Sequence, residues 1–396
     1  MDRAQGKPRA LVLSPEAPYP LWGGGALRTA SVVHSLAQRY ELDVLLFREP
    51  AAGDPAAALP PGLAARTAVI TLPHHARTVT ARLSRNASRL VRGVPPLWDR
   101  FRGFDGEVAE FTRGDRYDVA LVEHFWCAHY ERILRPHARR LVLDLHNVES
   151  SLHRRFGAAE GGAMRWAHGR FARANEALEA LWLPRFDLVL APSEADAAQL
   201  PAGRVAVFPN TIPLHPAPEP YVARPPIVAF SGNLEYHPNV QAVRWFARDI
   251  WPLIRRARPQ AEWLLVGKNE HAVRPLLAGL AGVRCTGMVE DALAELARAA
   301  VAVVPLLSGS GTRLKILEAW AAGTPVVSTP LGAEGLGPAG ALPLALASTP
   351  GEFAAAVLRL LDAPGEAAAL AAAGRQCYEK SFTWESAGRV LTGLGI

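Results

Sequence analysis

Along this chain short runs of β-branched and aliphatic residues alternate with longer stretches whose apolar positions recur at helical spacing. The short runs predict buried strands, in the first half at Ala10 to Leu13, Leu42 to Phe47, Ala68 to Leu72, Val119 to Val122, Leu141 to Leu145, Leu188 to Ala191 and Val205 to Phe208. Between them the helical pattern covers Ala26 to Arg39, Thr78 to Arg92, Met164 to Leu183 and Glu194 to Gln199. Strands that alternate with helices, and that read as apolar on both faces, predict a parallel sheet covered on each side.

The pattern breaks at Pro213 to Ile227, where six prolines preclude a helix and make a stiff, extended connector. Beyond it the alternation restarts with strands Ile227 to Phe230, Trp263 to Val266, Val283 to Thr286, Val301 to Leu307 and Val326 to Thr329. The helices of this half are Asn239 to Ala257, behind Pro238, then Ala292 to Arg298 and Arg313 to Ala322. Val243, Phe246, Ile250, Leu253 and Ile254 form the buried stripe of the first. Alanine-rich helices at Glu352 to Leu361, Glu366 to Lys380 and Glu385 to Leu394 follow.

The expected organisation is therefore a Rossmann-like domain over 1–212, a proline linker over 213–226 and a second such domain over 227–378. The C-terminal helix over 379–396 is expected to return to the first domain. A chain of 396 residues exceeds the usual size of a single core, which agrees with two domains.

Hydrophobic residues make up 49% and charged residues 20%, as in ordinary folded enzymes. No run is long and apolar enough for a membrane helix, and the N-terminus lacks the apolar core of a signal peptide, so the expectation is a cytoplasmic protein. Cys127, Cys285 and Cys377 are scattered without CxxC spacing and read as reduced packing residues rather than metal ligands. The formal charge of +6 favours anionic partners. Much of it lies between Arg77 and Arg102, where seven arginines interleave with Val79, Leu83, Leu90, Val91, Trp98 and Phe101. That segment is either a peripheral contact to an anionic inner-membrane face or a solvated helix face. Nucleic-acid binding would rest on net charge alone and is not expected.

The chemistry concentrates after the strand that begins at Val301. Gly309, Ser310, Gly311 and Thr312 lead into a helix, where free N–H groups and the helix dipole favour an anion such as phosphate, with Thr312 as the N-cap. Gly311, Lys315 and Glu318 share one helix face, so an ammonium and a carboxylate could meet a diphosphate and a ribose diol; Arg313 would add a planar fork. The alternative for Lys315 and Glu318 is a surface ion pair. No DxD pair suggests a metal, and the PEAPYPLWGGG that follows the first strand is not the GxGxxG of a dehydrogenase.

Glu318, Ala319, Gly323, Pro325, Val326 and Val327 resemble the second half of the signature of the retaining glycosyltransferase family 4. That family carries a glutamate, seven residues, a second glutamate, and then a Gly-x-Pro-Val-Val strand. Phe230 to Leu234, Thr286 to Asp291, Leu190 to Ser193, Val207 to Thr211 and Gly23 to Gly25 resemble further family segments in the same order. The resemblance implies a GT-B architecture, two doubly wound Rossmann-like α/β domains facing each other across a cleft. It also implies transfer of a sugar from a nucleotide-diphosphate donor, UDP- or GDP-linked, to an acceptor hydroxyl with retention, without a metal or other cofactor. The acceptor stays open among lipid-linked, polysaccharide and small aglycone substrates.

By the same resemblance Gly24, Gly25, Gly232, Asn233, Gly267, Met288, Val289, Ser310, Gly311, Thr312, Leu314 and Glu318 are expected at the donor. Lys315 and Arg313 are expected on its diphosphate. The chain departs from the family in two places: Ser310 stands where the first glutamate is usual, and Asn233 and Pro238 stand where an arginine and a lysine often are. The family histidine that follows an Asp-Val strand has three counterparts here, Glu123, His124 and, after the next strand, His146. A nucleotide-sugar epimerase of similar fold and a non-catalytic nucleotide-sugar-binding subunit are the competing readings.

Overall fold

The computed structural model describes residues 7–76, 78–201, 203–309 and 313–396. Ser310, Gly311 and Thr312, with their expected anion-binding and capping roles, lie outside the described residues, as does Arg77.

The chain divides into two units, one of Met1–Asn210 with Ala387–Ile396, the other of Thr211–Ser386. Strands β1 (Arg9–Ser14), β2 (Glu41–Arg48), β3 (Arg66–Thr71), β4 (Tyr117–Glu123), β5 (Ala138–Asp144), β6 (Leu188–Ala191) and β7 (Val205–Val207) form the first sheet. Its order is β3-β2-β1-β4-β5-β6-β7, with every pairing parallel. Strict alternation sends Leu11, Leu13, Leu45, Phe47, Ala120 and Val122 into one core. Ala10, Val12, Val44, Leu46, Val119 and Leu121 enter the core on the opposite face. Burial on both faces is why these strands read as continuous apolar runs.

The helix Trp384–Gly393 closes the second of these cores through Ala387 and Leu391, followed by the C-terminal Ile396. Arg140 Nη1 holds its end by donating to the Leu394 carbonyl at 2.6 Å. The chain thus re-enters the first unit at Ala387, while Thr383 remains paired with Ile212 in the second.

In the second unit β8 (Ile227–Ser231), β9 (Glu262–Val266), β10 (Val283–Cys285), β11 (Val301–Val304), β12 (Val326–Ser328) and β13 (Ala345–Leu346) form a parallel sheet of order β10-β9-β8-β11-β12-β13. β11 stops three residues short of the expected Leu307, because Pro305 has no N–H to continue the ladder. The expected helix Asn239 to Ala257 is instead three pieces, α-helical over His237–Trp245 and Trp251–Ala257 with a π-helical turn at Phe246–Ile250. Pro252 in the last piece removes one i to i−4 bond, and Trp251 N–H reaches back to the Phe246 carbonyl.

The proline-rich stretch lies along the second unit. Arg375 donates to the carbonyls of His215 and Ala321, and the Tyr378 hydroxyl joins Pro213 and His215.

Candidate functional site

Both sheets reverse their strand order beside the first strand, β1 next to β4 and β8 next to β11. Loops leaving the carboxyl ends of strands at such a point diverge to opposite faces and leave a crevice, which is where open α/β sheets bind ligands. Gly24, Gly25, Glu123 and His124 fall at the first of these points and Gly232, Asn233, Arg313, Leu314, Lys315 and Glu318 at the second, while His146, Gly267, Met288 and Val289 follow the neighbouring strands β5, β9 and β10.

In the second unit β8 ends at Ser231 and the loop after it carries Gly232 and Asn233, and the helix Leu314–Ala321 follows the loop after β11. Lys315 Nζ donates to the Ser231 carbonyl at 2.5 Å and lies 5.0 Å from the centre of the Phe230 ring. Glu318 accepts from the Ser231 hydroxyl at 3.2 Å. Neither side chain therefore forms the exposed helix pair that spacing also allowed: both turn inward onto β8. Burial lowers the Lys315 ammonium to about 8, opposed by Glu318, and raises the Glu318 carboxyl, opposed by Lys315 and the Ser231 hydroxyl.

Two glycines here are steric necessities. A Cβ on Gly232, whose φ is 137°, would sit 2.0 Å from Lys315 Nζ, and one on Gly267, φ 144°, would sit 1.9 Å from the Gly232 carbonyl oxygen. Asn233, at the position where the resemblance leads one to expect an arginine, accepts from Asn269 Nδ2 at 2.9 Å and through its carbonyl from Asn239 Nδ2 at 2.7 Å, so it braces the loop. Pro238 packs beside Gly309.

Arg313 is buried, donates through Nε to the Leu331 carbonyl at 3.2 Å and lies 3.8 Å from Glu334, so its fork is engaged by the turn after β12. Leu314 is half-buried in the first helical turn. Val289 packs on the core beside β8 and β9, whereas Met288 is 67% exposed.

In the first unit His124 follows β4 in the left-handed region, φ 62°, a strained position for a histidine. Its ring stacks on Trp126, centroids 4.1 Å apart, and on His146, 3.5 Å apart. His146 Nε2 meets Glu123 Oε2 at 2.6 Å, so the three residues the sequence left as alternatives form one cluster. Burial raises the Glu123 carboxyl to about 7 and holds the His146 imidazole well below its usual value. Near neutral pH the pair is thus biased to its uncharged form.

Asp144 closes the cluster from β5. It takes two hydrogen bonds from Arg28, 2.7 Å from Nε and 2.5 Å from Nη2, and burial still raises its carboxyl to about 6. Arg28 also donates to the Phe208 carbonyl and to Asn210 Oδ1.

Glu16 is a functional candidate the sequence reading missed. From the loop after β1 its carboxylate reaches 3.4 Å from His124 Nε2. A Cβ on Gly25 would lie 1.9 Å from Glu16 Oε2, so the glycines of the Gly24–Arg39 helix N-terminus make room for a carboxylate of the chain itself. Burial opposes ionisation of Glu16, but His124 outweighs it and holds the carboxyl at about 2. Glu16 has a side-chain exposure of 41%, while those of His124, His146, Glu123 and Asp144 stay at 7% or below, so Glu16 is where this cluster meets solvent. The available signals were a lone carboxylate between β1 and three consecutive glycines and a lone arginine inside an apolar helix.

Ligand atoms of Glu16, His124 and His146, and of Glu123, Asp144 and His146, lie within 4.8 Å of one another. Within the cluster His124 and His146 are stacked, and Glu123 and Asp144 are engaged by His146 and Arg28.

Residues 225–363 match the model of the family described as "Glycosyl transferases group 1". Over 156 residues the chain is 32% identical to a GDP-mannose-dependent monoacylated alpha-(1-6)-phosphatidylinositol monomannoside mannosyltransferase of Corynebacterium glutamicum. That match covers 36% of this chain and 41% of the relative, so it spans about two fifths of the relative's length. Among solved structures the chain is similar to sucrose-phosphate synthase from Thermosynechococcus elongatus, with a TM-score of 0.71, 18% identity and coverage of 98% of each chain. It is also similar to Anabaena HepE in complex with UDP, with a TM-score of 0.68, 16% identity and coverage of 98% of this chain and 99% of that one. The family match lies within the second unit, and across the whole chain the fold is the GT-B arrangement of those solved structures.

Proposed function

We propose that this protein moves a sugar from a UDP- or GDP-linked donor to an acceptor hydroxyl with retention of anomeric configuration and without a metal. The observation that carries the reading is Lys315: a half-buried ammonium at the sheet's switch point, beside a glycine-spaced loop. A half-buried cation supported by a carbonyl and a ring is poised for an anion, and a nucleotide diphosphate is the anion this fold and the family match favour.

In this reading the diphosphate lies at Lys315 and the loop ahead of the Leu314–Ala321 helix, with Glu318 taking the ribose hydroxyls. Gly232 and Gly267 allow the donor close to the backbone. Arg313 is held by the turn after β12 and is not assigned to the diphosphate in this reading. Charge builds on the leaving diphosphate as the anomeric C–O bond breaks, and Lys315 stabilises it there. The acceptor oxygen bonds to the anomeric carbon on the same face, and its proton passes to the departing phosphate oxygen, which balances the step.

His124 and Glu16 serve the acceptor side. Glu16 is too acidic to be an effective base and acts as a fixed hydrogen-bond acceptor for a substrate hydroxyl. The Corynebacterium relative, a GDP-mannose-dependent enzyme by its name, favours testing GDP-mannose and a lipid-linked acceptor early. The test is a thermal-shift screen with UDP- and GDP-sugars, then mass and NMR analysis of the product. A donor that raises Tm and yields an α-linked product from an α-linked donor meets the expectation; a product of inverted configuration, or none with any donor, defeats it.

A further inference from the structure

The helix Val79–Arg92 is amphipathic, but it is mounted with its apolar side outward. Arg89 is buried and donates to Asp99 at 2.9 Å, Arg92 reaches the same carboxylate at 3.2 Å, and Arg85 donates to the Ala76 carbonyl. The arginine side therefore makes the attachments to the unit. At helical spacing Val79, Leu83 and Val91 line the other side, and they are 62%, 62% and 80% exposed. Burying a cationic edge while exposing the aliphatic one is unfavourable in water and implies that something else covers the strip.

A second helix extends the surface. Arg170 Nε donates to the Leu90 carbonyl at 2.6 Å, which holds the Gly162–Trp182 helix against the end of the first. One turn before Arg170 is Trp166, 59% exposed, and Met164 beside it is 53% exposed.

We infer that this surface docks on an anionic lipid membrane, with Val79, Leu83, Val91 and Trp166 entering the headgroup and acyl boundary. The helix contains no acidic residue. Arg89 is spent on the unit, but Arg92 keeps a side-chain exposure of 49% and Arg102 is exposed, so the surroundings of the strip stay cationic and complement anionic headgroups. A second copy of the chain is a poor occupant, because a two-fold contact would set this cationic patch against itself. Indole rings favour the same boundary, where one edge is apolar and the other wet. The inference stands on this surface alone and does not depend on the transferase reading.

The test is co-sedimentation of the full chain with phosphatidylcholine vesicles, with and without phosphatidylglycerol, at low and high salt. The comparison is the triple variant Val79→Ser, Leu83→Ser, Val91→Ser, whose replaced side chains are exposed and whose Tm should match the parent. Binding is expected only to the anionic vesicles, weaker in high salt, and reduced about tenfold or more in the variant. No binding, equal binding to neutral vesicles, or an unaffected variant overturns the proposal. So does sedimentation equilibrium showing a self-associated parent that the triple variant releases to monomer, which would assign the strip to a second copy or to protein contact.

Discussion

Replacing Lys315 with methionine separates function from folding and does so with a defined pH signature. In the folded chain the ammonium falls from 10.5 to about 8 because burial penalises its charge. At about 1.4 kcal/mol per tenfold change this is roughly 3 kcal/mol against the charged form, and about 2 kcal/mol after allowing for residual solvent contact. Methionine removes that penalty and keeps most of the aliphatic stem. It also removes the hydrogen bond to the Ser231 carbonyl and the contact with the Phe230 ring, together worth about 1 to 2 kcal/mol. At pH 7 the two changes nearly cancel, and stability should move by no more than about 1 kcal/mol.

The sign with pH follows from proton counts. Between pH 8 and 10.5 the folded chain has lost the Lys315 proton while the unfolded chain still holds it, so stability gained from this site rises with pH through that window. The variant lacks the gain. Calorimetry at pH 7 and pH 10 should therefore show the parent improving relative to K315M by about 2 kcal/mol, a Tm difference that widens by about 4 to 8 °C in a unit of this size. Transfer activity at pH 7 should meanwhile fall by a factor of about a hundred or more. A Tm difference that is flat or narrows with pH would show that the ammonium is not desolvated, and unimpaired transfer would remove Lys315 from the donor site.

The same cluster logic extends to the first unit. Glu16→Gln keeps the size of the side chain and removes its fixed charge; KM for the acceptor should rise about tenfold or more with kcat changed only a few-fold, and steady-state kinetics showing an unchanged KM would dismiss the role. Arg28→Ala strands the buried Asp144 and should cost about 3 to 5 kcal/mol, while Arg28→Met with Asp144→Leu should recover much of it; denaturant titration showing Arg28→Ala within about 1 kcal/mol of the parent would refute the pairing.

Among the described residues twelve of the thirteen strands were legible in the sequence: the central ones are apolar on both faces, and the half-exposed β3, β7 and β10 still show as short β-branched runs between longer segments. The exception, β13, has only Ala345 and Leu346 and no periodicity to detect. The π-helical turn was hidden because Phe246 and Ile250 keep the helical stripe, and only the backbone around Pro252 departs from it. Lys315 and Glu318 were legible as a face, but spacing could not say whether that face looked to solvent or to β8. Glu16, Arg28 and Asp144 were missed for a common reason: each is paired with a residue far away in sequence, and such pairings leave no local period.

The two switch points handle charge differently, and the difference fits the tasks proposed for them. In the first unit Arg28 is matched by Asp144, and Glu123 shares a proton with His146, so those interior charges are satisfied before any substrate arrives. What remains toward solvent is Glu16 held by His124, an arrangement suited to a neutral hydroxyl, which needs an acceptor and brings no charge. In the second unit the ammonium of Lys315 rests on a carbonyl and a ring, and Glu318, its nearest acidic neighbour on that helix, is occupied by Ser231. That leaves a half-buried positive charge only partly compensated by the protein itself. A diphosphate supplies the missing charge and pulls the Lys315 proton affinity back up, so nucleotide binding should weaken as pH rises above about 8. Isothermal calorimetry of nucleotide diphosphate binding in buffers of different ionisation enthalpy should register net proton uptake near pH 8 in the parent and none in K315M. Equal proton uptake by both proteins would place the anion elsewhere.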